Sequence, residues 1–141
     1  MRITILSFLI LFIYTTASCQ EQSDKVPQVV LNAFQAKYPG ENDPDFELDD
    51  HGYWEAHFKK DGESYRADFH ADGTWRETEN SIKKSEIPKA IQDAIEKEYP
   101  DKKITEAEHV ISATQGEFYD IEFKQEGKNM DVMYRKDGTK V

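Results

Sequence analysis

The stretch Val26 to Pro39 (VPQVVLNAFQAKYP) returns as Ile87 to Pro100 (IPKAIQDAIEKEYP), so this chain of 141 residues is one unit written twice. The downstream parts align too. Trp54-Glu55-Ala56-His57-Phe58-Lys59 matches Tyr119-Asp120-Ile121-Glu122-Phe123-Lys124, and Asp72-Gly73-Thr74 matches Asp137-Gly138-Thr139. A unit of under about sixty residues buries too little apolar surface to be comfortably stable alone. The two copies are therefore expected to share a core or to continue one sheet.

Within each copy the hydrophobic period changes once. Val26, Val29, Val30, Ala33 and Phe34, and in the second copy Ile87, Ala90, Ile91, Ala94 and Ile95, fall on one stripe of an amphipathic helix. Pro27 and Pro88 stand in the first turn, where no intrahelical donor is lost, and Pro39 and Pro100 stop propagation. Alternation follows: Trp54, Ala56, Phe58 and then Tyr65, Ala67, Phe69 in the first copy; Tyr119, Ile121, Phe123 and then Met130, Val132, Tyr134 in the second. Such alternation predicts half-buried antiparallel strands, and Asp61-Gly62, Asp72-Gly73, Gly127 and Asp137-Gly138 punctuate them as turns. Weaker strands are expected at Asp45 to Leu48 and Ile104 to Ile111, and a last one begins at Trp75. The fold class is α+β: a tandem repeat of a helix followed by about four antiparallel strands, both helices on one sheet face. The second copy ends at Val141 before its last strand is complete, and residues 78–86 read as a polar connector.

Residues 1–18 read as an export signal, with Arg2, an apolar run from Ile3 to Tyr14 and the small residues Thr15-Thr16-Ala17-Ser18. That run is shorter than the roughly 20 residues a membrane-spanning helix needs. Cys19, the only cysteine, cannot form an internal disulfide. Residues 19–25 read as a polar tether, and 26–141 as one domain of two repeats, 26–80 and 86–141.

Without residues 1–18 the charge is 17 basic against 28 acidic residues, or −11. This disfavours nucleic acid and anionic headgroups, and it favours a basic protein patch or cations. No nucleophile elbow, phosphate-cradling glycine loop or second cysteine is present, so enzyme activity is not expected, and no cofactor is implied. The acids between Glu41 and Asp50 lack the spacing of an EF-hand loop and suit the solvent side of an edge strand. His57 and His70 share the polar parity of strands expected to pair. A surface metal or small-cation site there, with sensing outside the membrane, is the alternative to a protein-binding role.

The candidate partner-binding residues are Tyr53, His57, Arg66, His70, Trp75, Arg76, Phe118 and Met133. Tyr53, Phe118 and Met133 fall on the polar parity, and Trp75 aligns with Lys140 in place of an aromatic. On an uncovered sheet face they would set aromatic anchors among charges, the chemistry of interface hot spots.

Thr16-Ala17-Ser18-Cys19 resembles a bacterial lipobox, which implies a diacylglycerol on Cys19 and an envelope lipoprotein, periplasmic or at the outer membrane. The pattern Ile87-Pro88-x-x-Ile91-x-x-x-Ile95-x-x-x-Tyr99-Pro100, with Phe118 to Phe123 and Asp137-Gly138-Thr139, resembles the PepSY-like family of exported bacterial proteins. The first copy carries the pattern as well, ending in Asp72-Gly73-Thr74-Trp75. The resemblance implies a fold similar to β-lactamase inhibitor proteins, with helices on the convex side of one sheet and the concave side free to bind. It implies a role in binding or restraining peptidases, with no catalytic residues. The expected partner is an envelope protein or peptide, and a monomer is expected.

Overall fold

The computed structural model describes residues 25–141; the expected export signal, Cys19 and most of the expected tether lie outside the described residues. The elements are α1 (Gln28–Lys37), β1 (Asp45–Leu48), β2 (Trp54–Lys60), β3 (Glu63–Phe69), β4 (Trp75–Ser81), a 3-10 turn (Lys84–Glu86), α2 (Lys89–Glu98), β5 (Ile104–Ser112), β6 (Gly116–Phe123) and β7 (Met130–Tyr134). All seven strands form one antiparallel sheet in chain order. The class is α+β, and the sheet runs unbroken through both halves of the chain.

Each helix is bracketed by the same chemistry. The carbonyls of Pro27 and Pro88 accept the first helical N–H groups, from Val30 and Ile91, and the chain turns off where Tyr38 and Tyr99 donate back to Phe34 and Ile95. Two separate cores result. Val30 and Phe34 bury against Trp54, Ala56, Phe58, Ala67 and Phe69. Ile87, Ile91 and Ile95 bury against Ala107, Tyr119, Ile121, Phe123 and Tyr134. Each large side chain so buried contributes about 1.5–3 kcal/mol as an upper estimate.

The two Asp-Gly-Thr turns explain their own residues. Asp72 Oδ1 accepts the Thr74 N–H at 2.8 Å, and Asp137 Oδ1 accepts the Thr139 N–H at 3.0 Å. Gly73 and Gly138 sit at φ 84° and 87° with the first turn of a helix directly above them. A Cβ would lie 2.9 Å from the Val29 carbonyl oxygen at Gly73, and 2.6 Å from that of Ala90 at Gly138. Glycine is needed there for its missing side chain as much as for its backbone freedom.

Two expectations need correction. Val29, placed on the core stripe of α1, is 45% exposed, because it overlies the Gly73 turn at the rim and not the sheet. Residues 78–86 are not one connector: 78–81 continue β4, which pairs with β3 on one side and β5 on the other. Its polar composition misleads because Glu77 and Glu79 point away from both cores.

Candidate functional site

The pairing register arranges the strand positions outside the two cores in rows. One row runs Glu55, Asp68, Glu77, Ser112; the next runs Asp45, His57, Arg66, Glu79, Val110, Phe118. Ser81, Glu108, Asp120 and Met133 form a third. The middle of this face is sunk: Asp68 is 2% exposed and Glu77 8%.

Arg66 is the hub. Its Nη2 lies 2.6 Å from Glu79 Oε2 and its Nε 3.2 Å from Asp68 Oδ1, with Glu55 Oε1 at 3.8 Å. Arg76 reaches Asp68 Oδ2 at 3.1 Å and pairs with Glu77. Burial raises the pKa of Glu55, Asp68, Glu77, Glu79 and Glu108, five carboxyl groups that share the Arg66 and Arg76 guanidinium groups, and it raises that of Asp120, which has no arginine beside it. Glu79 is pushed furthest, to about 8, by desolvation first, against the pull of Arg66, with Glu108 adding repulsion. His57, Ser64, Tyr65, Arg66, Glu79, Ser81 and Glu108 line a cleft of about 140 Å³.

The sequence-derived candidates separate into groups. His57 and Arg66 oppose one another in the β2–β3 register. Tyr53, His70 and Arg76 meet at one end: the Tyr53 and His70 rings are 5.1 Å apart, edge to face, and the Arg76 guanidinium lies 4.7 Å from the Tyr53 ring centre. Met133 is 39% exposed and opposes Asp120 in the β6–β7 register, far across the sheet from that trio. Phe118 is no exposed anchor. It is 5% exposed, opposite Val110, because the sheet centre is sunk and apolar pairs fill it.

Trp75 also departs from expectation. The register shift between Asp68 and Phe69 sets Trp75 opposite the core residue Phe69, and the ring packs against the first core. Its Nε1 donates to Thr78 Oγ1 at 3.0 Å, and Lys37 Nζ sits 3.5 Å from the ring centre. His57 and His70 do not converge: His70 follows the residue paired with Trp54, so they stand four residues apart along β2, about 13 Å at strand rise. The sequence places Asp68 on the polar parity of β3, but it does not show that Glu77, Glu79, Glu108 and Asp120 are buried or half-buried on the same face. The alternation of Glu77 and Glu79 along Trp75–Ser81 was the available signal, read as a connector.

A family model described as "Putative beta-lactamase-inhibitor-like, PepSY-like" matches residues 52–140, more than half of the chain, and the chain belongs to that family. Solved structures share the fold. A DUF2874 family protein from Bacteroides ovatus aligns with TM-score 0.73 at 20% identity over 84% of this chain and 86% of its own. A BLIP-like protein from Bacteroides fragilis aligns with TM-score 0.71 at 19% identity over 83% and 84%. A structure described as "putative periplasmic proteins" from Bacteroides eggerthii aligns with TM-score 0.73 at 19% identity over 83% and 86%. No curated protein matches the chain.

Proposed function

We propose that this protein is a non-enzymatic binding module of the cell envelope that holds a basic segment of a partner protein against its charged sheet face. The observation that carries the reading is the excess of buried and half-buried carboxyl groups over guanidinium groups on that face. A Lys or Arg side chain entering the cleft beside Glu79 and Glu108 would relieve this imbalance, and charge complementarity would speed its approach. The trio Tyr53, His70 and Arg76 supplies an aromatic contact at one end of the same face.

Further parts of the reading concern architecture and address. Segments 26–80 and 86–141 are two repeats, with both helices backing one face. The matching helix brackets, the matching Asp-Gly-Thr turns and the register that gives both cores the same strand parity support this. The leader and Cys19 support export and lipid anchoring, and the name of the Bacteroides eggerthii relative agrees with an envelope location. No helix among the described residues is long and apolar enough to cross a membrane.

Fluorescence anisotropy with a labelled Arg-rich peptide and its Glu-rich counterpart tests the docking role. The basic peptide should bind, weaken as salt rises, and lose affinity in Glu108→Lys. Equal binding of both peptides, or indifference to Glu108→Lys, would remove the face from consideration.

A further inference from the structure

We propose that Glu47, Glu55 and His57, at the β1 edge of the charged face, form a binding site for a borderline divalent cation of the zinc type. Two strands bring the three together: Glu47 and Glu55 oppose each other directly in the β1–β2 register, and His57 lies two residues further along β2. His57 Nε2 is 3.2 Å from Glu47 Oε1 and 3.3 Å from Glu55 Oε2, and the three donor atoms lie within 4.8 Å of one another.

The 3.2 Å contact accommodates a hydrogen bond when Nε2 carries the proton, and the two His57 spacings also fit ligands of one metal ion. Ligands held about 2.0–2.1 Å from a tetrahedral zinc stand about 3.3–3.4 Å from each other, which is the His57-to-carboxylate separation found here. An imidazole Nε2 carries at most one hydrogen, so it can donate to one of the two carboxylates and leaves the other facing it unbridged. Like charges directly opposite across two strands repel. A cation between Glu47, Glu55 and His57 answers both problems at once.

Donor chemistry narrows the ion. One imidazole with two carboxylates suits zinc and its first-row neighbours, whereas calcium takes six to eight oxygens. Glu55 turns its other oxygen, Oε1, toward Arg66 at 3.8 Å, which holds the carboxylate in place and leaves Oε2 for the ion. Three protein ligands leave one tetrahedral position to solvent or to a donor from a docked partner. The site shares His57 with the rim of the cleft but binds its ion without a basic ligand, so zinc and peptide binding are read separately.

Calorimetry with zinc chloride on the untagged protein, with Cys19→Ser removing the competing thiol, tests the site. One zinc per chain should bind, and His57→Ala and Glu47→Gln should each weaken it at least about tenfold. His109→Ala should not, although His109 also pairs with a carboxylate, Glu117 at 2.8 Å. In NMR spectra the His57 ring signals should shift on zinc addition ahead of the other histidines. Absence of zinc binding, binding that survives both ligand substitutions, or equal loss in His109→Ala would each overturn the proposal. Both ligand side chains are exposed and lie outside the two cores, so these variants keep the fold, and an unchanged melting curve verifies it.

Discussion

The two halves of the molecule solve one problem, tying the end of a helix to the turn beneath it, with the roles of the partners exchanged. In the first half the helix supplies the cation and the strand the ring: Lys37 of α1 lies over Trp75 of β4. In the second half the ring belongs to Tyr99 at the end of α2, and the cation is Lys140, which also pairs with Glu98 and donates to the Tyr99 hydroxyl at 2.9 Å. The Lys37 ammonium, over the indole, has its pKa lowered by desolvation, whereas the hydrogen bonds from Lys140 to Glu98 and then Tyr99 raise its own. Trp75 therefore aligns with Lys140 because each is one side of the same clamp. A position that looks unmatched between two copies can be a role exchanged.

The cores differ as well. The first is aromatic, with Phe34 in contact with Tyr38, Phe46 and Phe58 at ring separations of 5.1, 5.6 and 5.2 Å. In the second the helix side is isoleucine, Ile87, Ile91 and Ile95, packed on the strand aromatics Tyr119, Phe123 and Tyr134. Phe34→Ala should cost about 3–5 kcal/mol and Ile91→Ala about 2–5. Because β4 pairs with both β3 and β5, either change should lower the melting point of a single cooperative transition. Two separated transitions in calorimetry would show that the halves unfold independently.

Next in size are the glycines under the helices. Gly138→Ala should destabilise more than Gly73→Ala, since its Cβ would meet backbone at 2.6 Å against 2.9 Å, and each should cost more than the roughly 1 kcal/mol that an unstrained Gly→Ala change gains. Urea unfolding of both variants ranks them, and the reverse order would mean that the second half yields more easily.

The charged face spans the junction of the halves and should show in the pH profile. Glu79 holds its proton more tightly folded than unfolded, so its contribution is fully present below the ordinary value of 4.5 and is lost as pH rises through about 8. Glu79→Gln should flatten that decline by an amount on the order of a few kcal/mol at most, read from melting points between pH 5 and 9. An unchanged slope would mean that Glu79 is ionised throughout. The smallest effect is expected at the first clamp, where Lys37→Met should cost the cation–π contact with Trp75, about 0.5–1 kcal/mol. Lys140→Met should alter stability only at low salt, and equal losses at high salt would erase the contrast between the clamps.

Much of the architecture was legible. Helical period, flanking prolines and alternating strands mark α1, α2, β1, β2, β3, β5, β6 and β7 because each hydrophobic pattern answers to a nearby surface. The full length of β4 was hidden, since Glu77, Glu79 and Ser81 face away from both cores and read as a loop. The site was less legible. Parity alone put Phe118 and Trp75 on an exposed face; sheet depth buried the first, and a one-residue register shift turned the second toward a core.

By itself the sequence determined the duplicated pattern, the places where helices start and stop, and the glycine turns, because these depend on neighbours within a few residues. Only the tertiary structure decided which carboxyl groups are buried together, that Arg66 sits at their centre, and that Glu47 reaches Glu55 and His57. Those facts depend on strand register and sheet curvature, which join residues far apart in the chain, and a shift of one residue would have sent each side chain to the opposite face.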